Sequence, residues 1–175
     1  MSTRKMYSRR AARRVADRAA SHGVPKKIAR HIAYACRKQR LRYALGFAMF
    51  DQESGFQVVY GHDVGGYNPG EKVTRDNYER FRRLVVERNG VGANGVGLGQ
   101  ITYWTYIRDH RGLWKAKVQV YLAASILADL VHRLGEFTGT GAYNGGEGNP
   151  NESYAREVLE RADYWRPRLA GKDSP

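Results

Sequence analysis

Leu41–Phe56, LRYALGFAMFDQESGF, decides how the rest of this chain reads. Tyr43, Phe47 and Phe50 recur at helical spacing, with Leu45, Ala48 and Met49 beside them. Apolar residues spread around a helix in this way suit one sunk into a core. The pattern runs into Asp51-Gln52-Glu53-Ser54, and Gly55 can end the helix in a left-handed turn. A carboxylate is thereby delivered to the C-terminus of a buried helix. The negative dipole end and the apolar neighbours Met49 and Phe56 are expected to raise the pKa of Glu53. A carboxyl held protonated near neutral pH can act as a general acid. The alternative is a solvated residue at a helix end.

Outward from this stretch the pattern stays helical. N-terminal to it, residues 8–20 can form a helix with a thin Ala/Val stripe and a strongly basic face, stable only if docked. Pro25 is placed to begin a second helix carrying Ile28, Ile32 and Ala35. C-terminal to it, residues 57–72 read as an ordered loop with room for a short hairpin. Thr74 can cap a helix from Arg75 to about Arg88, with Asp76 in its first turn and Tyr78, Phe81, Leu84 and Val85 facing in. A glycine-rich segment follows, then a short helix over Thr105–His110 and a long, central one over Lys115–Leu134. Gly139–Pro150 reads as a second glycine-rich loop, and a last helix runs from Glu152 to about Ala162 with Trp165 packing beyond it. Six or seven helices with little strand make the class mainly α.

Charge is distributed unevenly. Residues 1–42 hold 14 Lys/Arg and one acid, Asp17, whereas residues 43–175 hold 16 of each sign, so the net +13 belongs to the N-terminal part. We read residues 1–24 as a basic arm and residues 25–175 as the main domain. A basic segment of this kind favours a polyanion or serves as a solubilising face. The start has positive charge without an apolar h-region, so no secretory signal is expected. No apolar run is long enough to span a membrane. Cys36 is the only cysteine and is expected in the core, and the five histidines show no ligand spacing, so neither metal nor cofactor is expected.

Gly90-Val91-Gly92-Ala93-Asn94-Gly95 matches a dinucleotide-binding turn by letter, but a helical pattern precedes it and no alternating strands follow. What remains is an acid at a helix end, two glycine-rich loops, and aromatic and amide side chains on them. Such a groove suits a carbohydrate.

Together and in this order, Glu53-Ser54-Gly55-Phe56, Gly97-Leu98-Gly99-Gln100-Ile101, Ala142-Tyr143-Asn144-Gly145-Gly146 and Tyr154 resemble the motifs of soluble lytic transglycosylases and goose-type lysozymes. Tyr60-Gly61-His62-Asp63 and the later Gly-Val-Gly loop resemble more specifically the wall-lysing enzymes of phages that infect actinobacteria. The resemblance covers about residues 25–165. Gly99 stands where the family has Met, Gly145-Gly146 replaces Ala-Gly, and the family's Asn-Ile-x-x-Gly has no clear match in Lys117-Val118-Gln119-Val120.

The resemblance implies a lysozyme-like fold that cleaves the β-1,4 bond between N-acetylmuramic acid and N-acetylglucosamine in peptidoglycan. Glu53 would be the catalytic acid and then base, with Ser54, Gly97, Leu98, Gly99, Gln100, Tyr143, Asn144 and Tyr154 lining the sugar site. Asp63 would be the second carboxylate if the enzyme is a hydrolase; Asp51, two residues before Glu53 on a helix, points the other way. The expected protein is monomeric, made in a host cytoplasm, and acts on the wall, with anionic wall polymers held by the basic arm. A nucleic-acid-binding or virion structural protein is the reading from another class. It leaves the four motifs unused, so nucleic acid is not the expected partner.

Overall fold

The computed structural model describes residues 7–63 and 66–170. The expectations for Arg4 and Lys5 of the basic arm lie outside the described residues. Among the described residues eight α-helices follow in order: α1 (Arg9–Ser21), α2 (Lys26–Gln39), α3 (Tyr43–Ser54), α4 (Arg75–Glu87), α5 (Trp104–Asp109), α6 (Ala116–Leu134), α7 (Glu136–Gly145) and α8 (Glu152–Ala170). A 3₁₀ turn, Gly97–Gly99, lies between α4 and α5. Two isolated antiparallel bridges, Val59 with Lys72 and Tyr60 with Val96, are the β-pairing among the described residues. The mainly α class is therefore observed.

The chain divides into two compact units, one of residues 1–52 with 121–175 and one of residues 53–120. α1 docks within the first unit against α2 and α8. Its alanine stripe explains why: Ala11, Ala12, Val15, Ala16 and Ala19 are small enough to let backbones approach, and all are buried. Ser8 Oγ caps α1 by accepting from the Ala11 amide at 3.1 Å. Pro25 sits one residue ahead of α2, at its N-cap.

In this first unit α3 carries the fully buried Leu45, Phe47, Ala48, Met49 and Phe50, as its all-round apolar pattern requires. The Phe47 ring packs on Trp165 with centroids 5.6 Å apart. Arg42 pairs with Glu136 at 2.8 Å. Two readings of the sequence are corrected. The run 139–150 is not one loop, since Glu136–Gly145 is helical. Only Gly146 in it has a left-handed φ, +80°, while Gly139 and Gly141 meet neighbouring backbone so closely that a Cβ would lie 2.6 and 2.9 Å from it. These glycines serve close packing and not turns. The last helix also runs past Ala162 to Ala170, with Trp165 inside it, despite Pro167. Proline there removes one N–H near the helix end, and the terminal carbonyls of Leu169 and Ala170 accept from Arg18 of α1.

The second unit is built around α4. Thr74 and Asn77 form a capping box at its start, with Thr74 Oγ1 accepting from the Asn77 amide at 3.3 Å and Asn77 Oδ1 from the Thr74 amide at 2.8 Å. Tyr78, Phe81 and Val85 face in as expected, but Leu84 is 36% exposed. Tyr60, Tyr67 and Phe81 form an aromatic cluster with centroids 5.2–5.6 Å apart. The Tyr78 hydroxyl donates toward the carbonyls of Ile107 and His110, 3.0 and 2.9 Å away, which ties α5 to α4. No described helix is long and apolar enough to cross a membrane.

Candidate active site

Glu53 and Ser54 are the last residues of α3. Gly55 and Phe56 both take left-handed φ, +54° and +65°, and the chain turns away at once. Glu53 is half-buried. Ser54 Oγ donates to the Leu98 carbonyl at 2.9 Å, which joins the helix end to the glycine-rich turn.

That turn is closed at its base by paired bonds between Val96 and Ile101, 3.1 and 3.3 Å. Gly97 has φ +69°, and a Cβ on it would lie 2.1 Å from the Gln119 amide carbon, so glycine is required there twice over. Gln119 is fully buried; its Oε1 accepts from the Leu98 amide at 3.1 Å and its Nε2 donates to the Leu113 carbonyl at 2.8 Å. Both polar ends are satisfied, as a buried amide demands. Gln119 lies in the segment where the family's Asn-Ile motif finds no match by letter. The sequence signal was an amide inside an apolar helix.

Gln100, at φ +44°, folds its side chain back over the turn and donates from Nε2 to the Gly97 carbonyl at 2.8 Å and the Val59 carbonyl at 3.3 Å. Its Oε1 lies where a Cβ on Gly61 or Gly95 would fall, 2.5 and 2.2 Å away. Asn94, fully buried, donates to the carbonyls of Gly61 and Tyr67 at 2.9 and 3.0 Å and accepts from the Tyr67 amide at 3.2 Å. It pins both ends of the 61–67 segment, a role that the glycine-rich letters around it concealed.

Within this unit Glu53, Ser54 and Gln100 line one cavity of about 240 Å³, together with Gln57, Val59, Tyr60, Gly61, His62 and Gly70. Pockets for small molecules typically measure ~300–1,000 Å³. This one is smaller. Gly97, Leu98 and Gly99 are buried and are not among the lining residues; the Leu98 and Gly97 carbonyls accept from the lining residues Ser54 and Gln100. Gln57, Val59 and Gly70 are lining residues outside every quoted motif, and His62, quoted within Tyr60-Gly61-His62-Asp63 but given no role there, lines it too. His62 packs its ring on Gly70, where a Cβ would lie 2.7 Å from Cε1. Burial keeps the Tyr60 hydroxyl protonated well above its ordinary range. Asp63 is exposed and is not among the lining residues; its Oδ2 accepts from the Gly95 amide at 2.9 Å.

The other motif residues belong to the first unit. Tyr143 is half-buried and Asn144 exposed on the last turn of α7, and Tyr154 is buried near the start of α8. Asn151 connects them: its Nδ2 donates to Asn144 Oδ1 at 2.8 Å, and its Oδ1 accepts from the Tyr154 amide at 3.1 Å as the cap of α8. Asp51 accepts from Trp165 Nε1 at 3.0 Å and from Arg161 at 3.3 Å. It is thereby committed to structure. Among the described residues no three His, Cys, Asp or Glu side chains are grouped as metal ligands. No protein-family model matches the chain, and neither does any curated protein or solved structure.

Proposed function

We propose that the protein is a lytic transglycosylase of lysozyme-like fold that cleaves the N-acetylmuramic acid–β-1,4–N-acetylglucosamine bond of peptidoglycan, in the service of phage-driven wall lysis. One observation carries the reading: among the described residues, Glu53 is the only carboxylate that lines the cavity, and it does so beside the Ser54–Leu98 junction and the Gln100 amide. Glycosidases of the usual kind need two carboxylates, about 5–9.5 Å apart. A transglycosylase needs one.

In the proposed step the Glu53 carboxyl donates its proton to the bridging oxygen as the bond from that oxygen to C1 of the muramyl sugar breaks. The resulting carboxylate takes the proton of the same sugar's 6-hydroxyl as O6 bonds to C1. The glutamic acid is regenerated, no water is consumed, and the product carries a 1,6-anhydro ring. Gln100 would hold the sugar, with the buried 97–99 turn positioning Ser54 and Gln100 through the Leu98 and Gly97 carbonyls. Tyr143, Asn144 and Tyr154 enter the proposal on the motif resemblance alone.

A hydrolytic lysozyme is the second reading, favoured by the place of Asp63. Its Oδ2 lies 2.6 Å from where a Cβ on Gly61 would be, and Gly61 does line the cavity. Mass analysis of the products from purified peptidoglycan separates the two. Transglycosylase products are lighter by one water than hydrolytic ones, and Glu53→Gln is expected to lower turnover ~10²–10⁴-fold on a folded protein. Reducing-end products that vanish in Asp63→Asn would establish hydrolysis, and activity of Glu53→Gln within a few-fold of wild type would remove Glu53 from the chemistry.

A further inference from the structure

Docking of α1 turns a basic segment into a fixed surface. The buried residues of α1, at positions 11, 12, 15, 16 and 19, leave Arg9, Arg10, Arg13 and Arg14 exposed on its opposite face. Residues three or four apart on a helix are neighbours, so these guanidinium groups form a close array. α2 repeats the arrangement. It buries Ile28, Ala29, Ile32 and Ala33 and exposes Lys26, Lys27 and Arg30. The one acid of residues 7–42, Asp17, pairs among the described residues with Arg13, at 4.0 Å, with both side chains half or more exposed. Held by packing, such an array loses less entropy on meeting a polyanion than a flexible tail would.

We propose that the outward faces of α1 and α2 form a docking surface for the phosphodiester-bearing anionic polymers of a bacterial wall. The charge complementarity is on the surface itself; the choice of a wall polymer over a nucleic acid rests on the proposed function. The fully exposed side chains of these two faces are nearly all Lys and Arg, and the aromatic and amide side chains of α2, His31, Tyr34 and Gln39, are half-buried. Charges alone attract repeating phosphate and read no base, because base recognition needs side chains that stack or hydrogen-bond to base edges.

The test is cosedimentation of the full chain with insoluble walls across a salt series, on a Glu53→Gln background so that binding is measured without cleavage. Walls are used intact or stripped of phosphate polymers by acid extraction, with duplex DNA as a competing ligand. Two variants, Arg9/Arg10/Arg13/Arg14→Gln and Lys26/Lys27/Arg30→Gln, lie on separate helices, and circular dichroism verifies that each folds. Four released counterions predict a loss of about 50–150-fold in affinity for a fourfold rise in salt. Each variant should mimic that loss, and stripped walls should bind no better than the variants do. Equal binding to stripped walls, salt-independent binding, or variants indistinguishable from wild type would overturn the surface, and tighter binding to DNA than to intact walls would reassign its partner to nucleic acid. Turnover of soluble glycan fragments by the protein with Glu53 intact is read separately. Wall binding without any turnover would count against the proposed function and leave the surface standing.

Discussion

Cys36 of α2 and Gly46 of α3 approach so closely that a Cβ on Gly46 would lie 2.3 Å from the Cys36 sulfur. Burial pushes the Cys36 thiol up to about 12. In an unfolded chain a thiol titrates at about 8.5. Above that pH the unfolded chain releases a proton that the folded one keeps. The stability from the buried neutral thiol is thus complete below about pH 8.5 and falls by about 1.4 kcal/mol per unit as pH rises toward 12. The hydroxyls of the half-buried Tyr43 and the buried Tyr60 and Tyr78, also pushed up by desolvation, add to the fall only above their ordinary value of about 10. The interval between ~8.5 and 10 therefore belongs to Cys36. Urea midpoints at pH 8, 9 and 10 should drop for wild type and stay nearly level for Cys36→Ala. Equal slopes would mean that the thiol ionises in the folded state.

α7 shows how an element can hide behind its composition. Gly to Ala inside an exposed helix stabilises by roughly 1 kcal/mol. At Gly139 the sign should reverse, because a Cβ would lie 2.6 Å from the Leu130 backbone of α6, which cannot swing aside as a long side chain can. Gly139→Ala should cost about 1–3 kcal/mol. Gly148→Ala, where nothing lies within 4 Å, should be neutral or slightly stabilising. Chemical denaturation of the two variants side by side tests the packing; a stabilised Gly139→Ala would return this segment to the loop that its glycines suggest.

At the scale of the molecule, the first helix is part of the fold. Five buried side chains and the Arg18 bonds to the α8 carbonyls would be lost if residues 1–24 were removed. The apolar groups alone are worth about 5 kcal/mol as an upper estimate, comparable with the whole stability of many domains. The truncated chain should melt at a much lower temperature or fail to fold, whereas Arg9/Arg10/Arg13/Arg14→Gln should melt close to wild type. Thermal circular dichroism decides. Unchanged melting after truncation would restore the independent arm that the charge distribution suggests.

The sequence by itself determined the helices whose signals are local. The all-apolar stretch of α3, the Thr74 cap, the breaks at Gly23 to Pro25 and Gly55, and the long α6 all follow from patterns within a few residues. It also singled out Glu53, Ser54 and Gln100, which do share a cavity, because short motifs carry their own order along the chain. Only the tertiary structure decided what the glycines are for. A glycine that turns the chain and one that admits a neighbouring backbone are the same letter, and Gly139 and Gly141 proved to be the second kind. Gln119, Asn94 and Asn151 were opaque for a related reason: each is a polar residue whose role depends on which amides and carbonyls reach it, and several of those partners lie far along the chain. Charge was legible as an excess at one end. Its docking was not, since a thin alanine stripe has too little apolar area to announce a partner and becomes a packing surface only when another helix is close enough to use it.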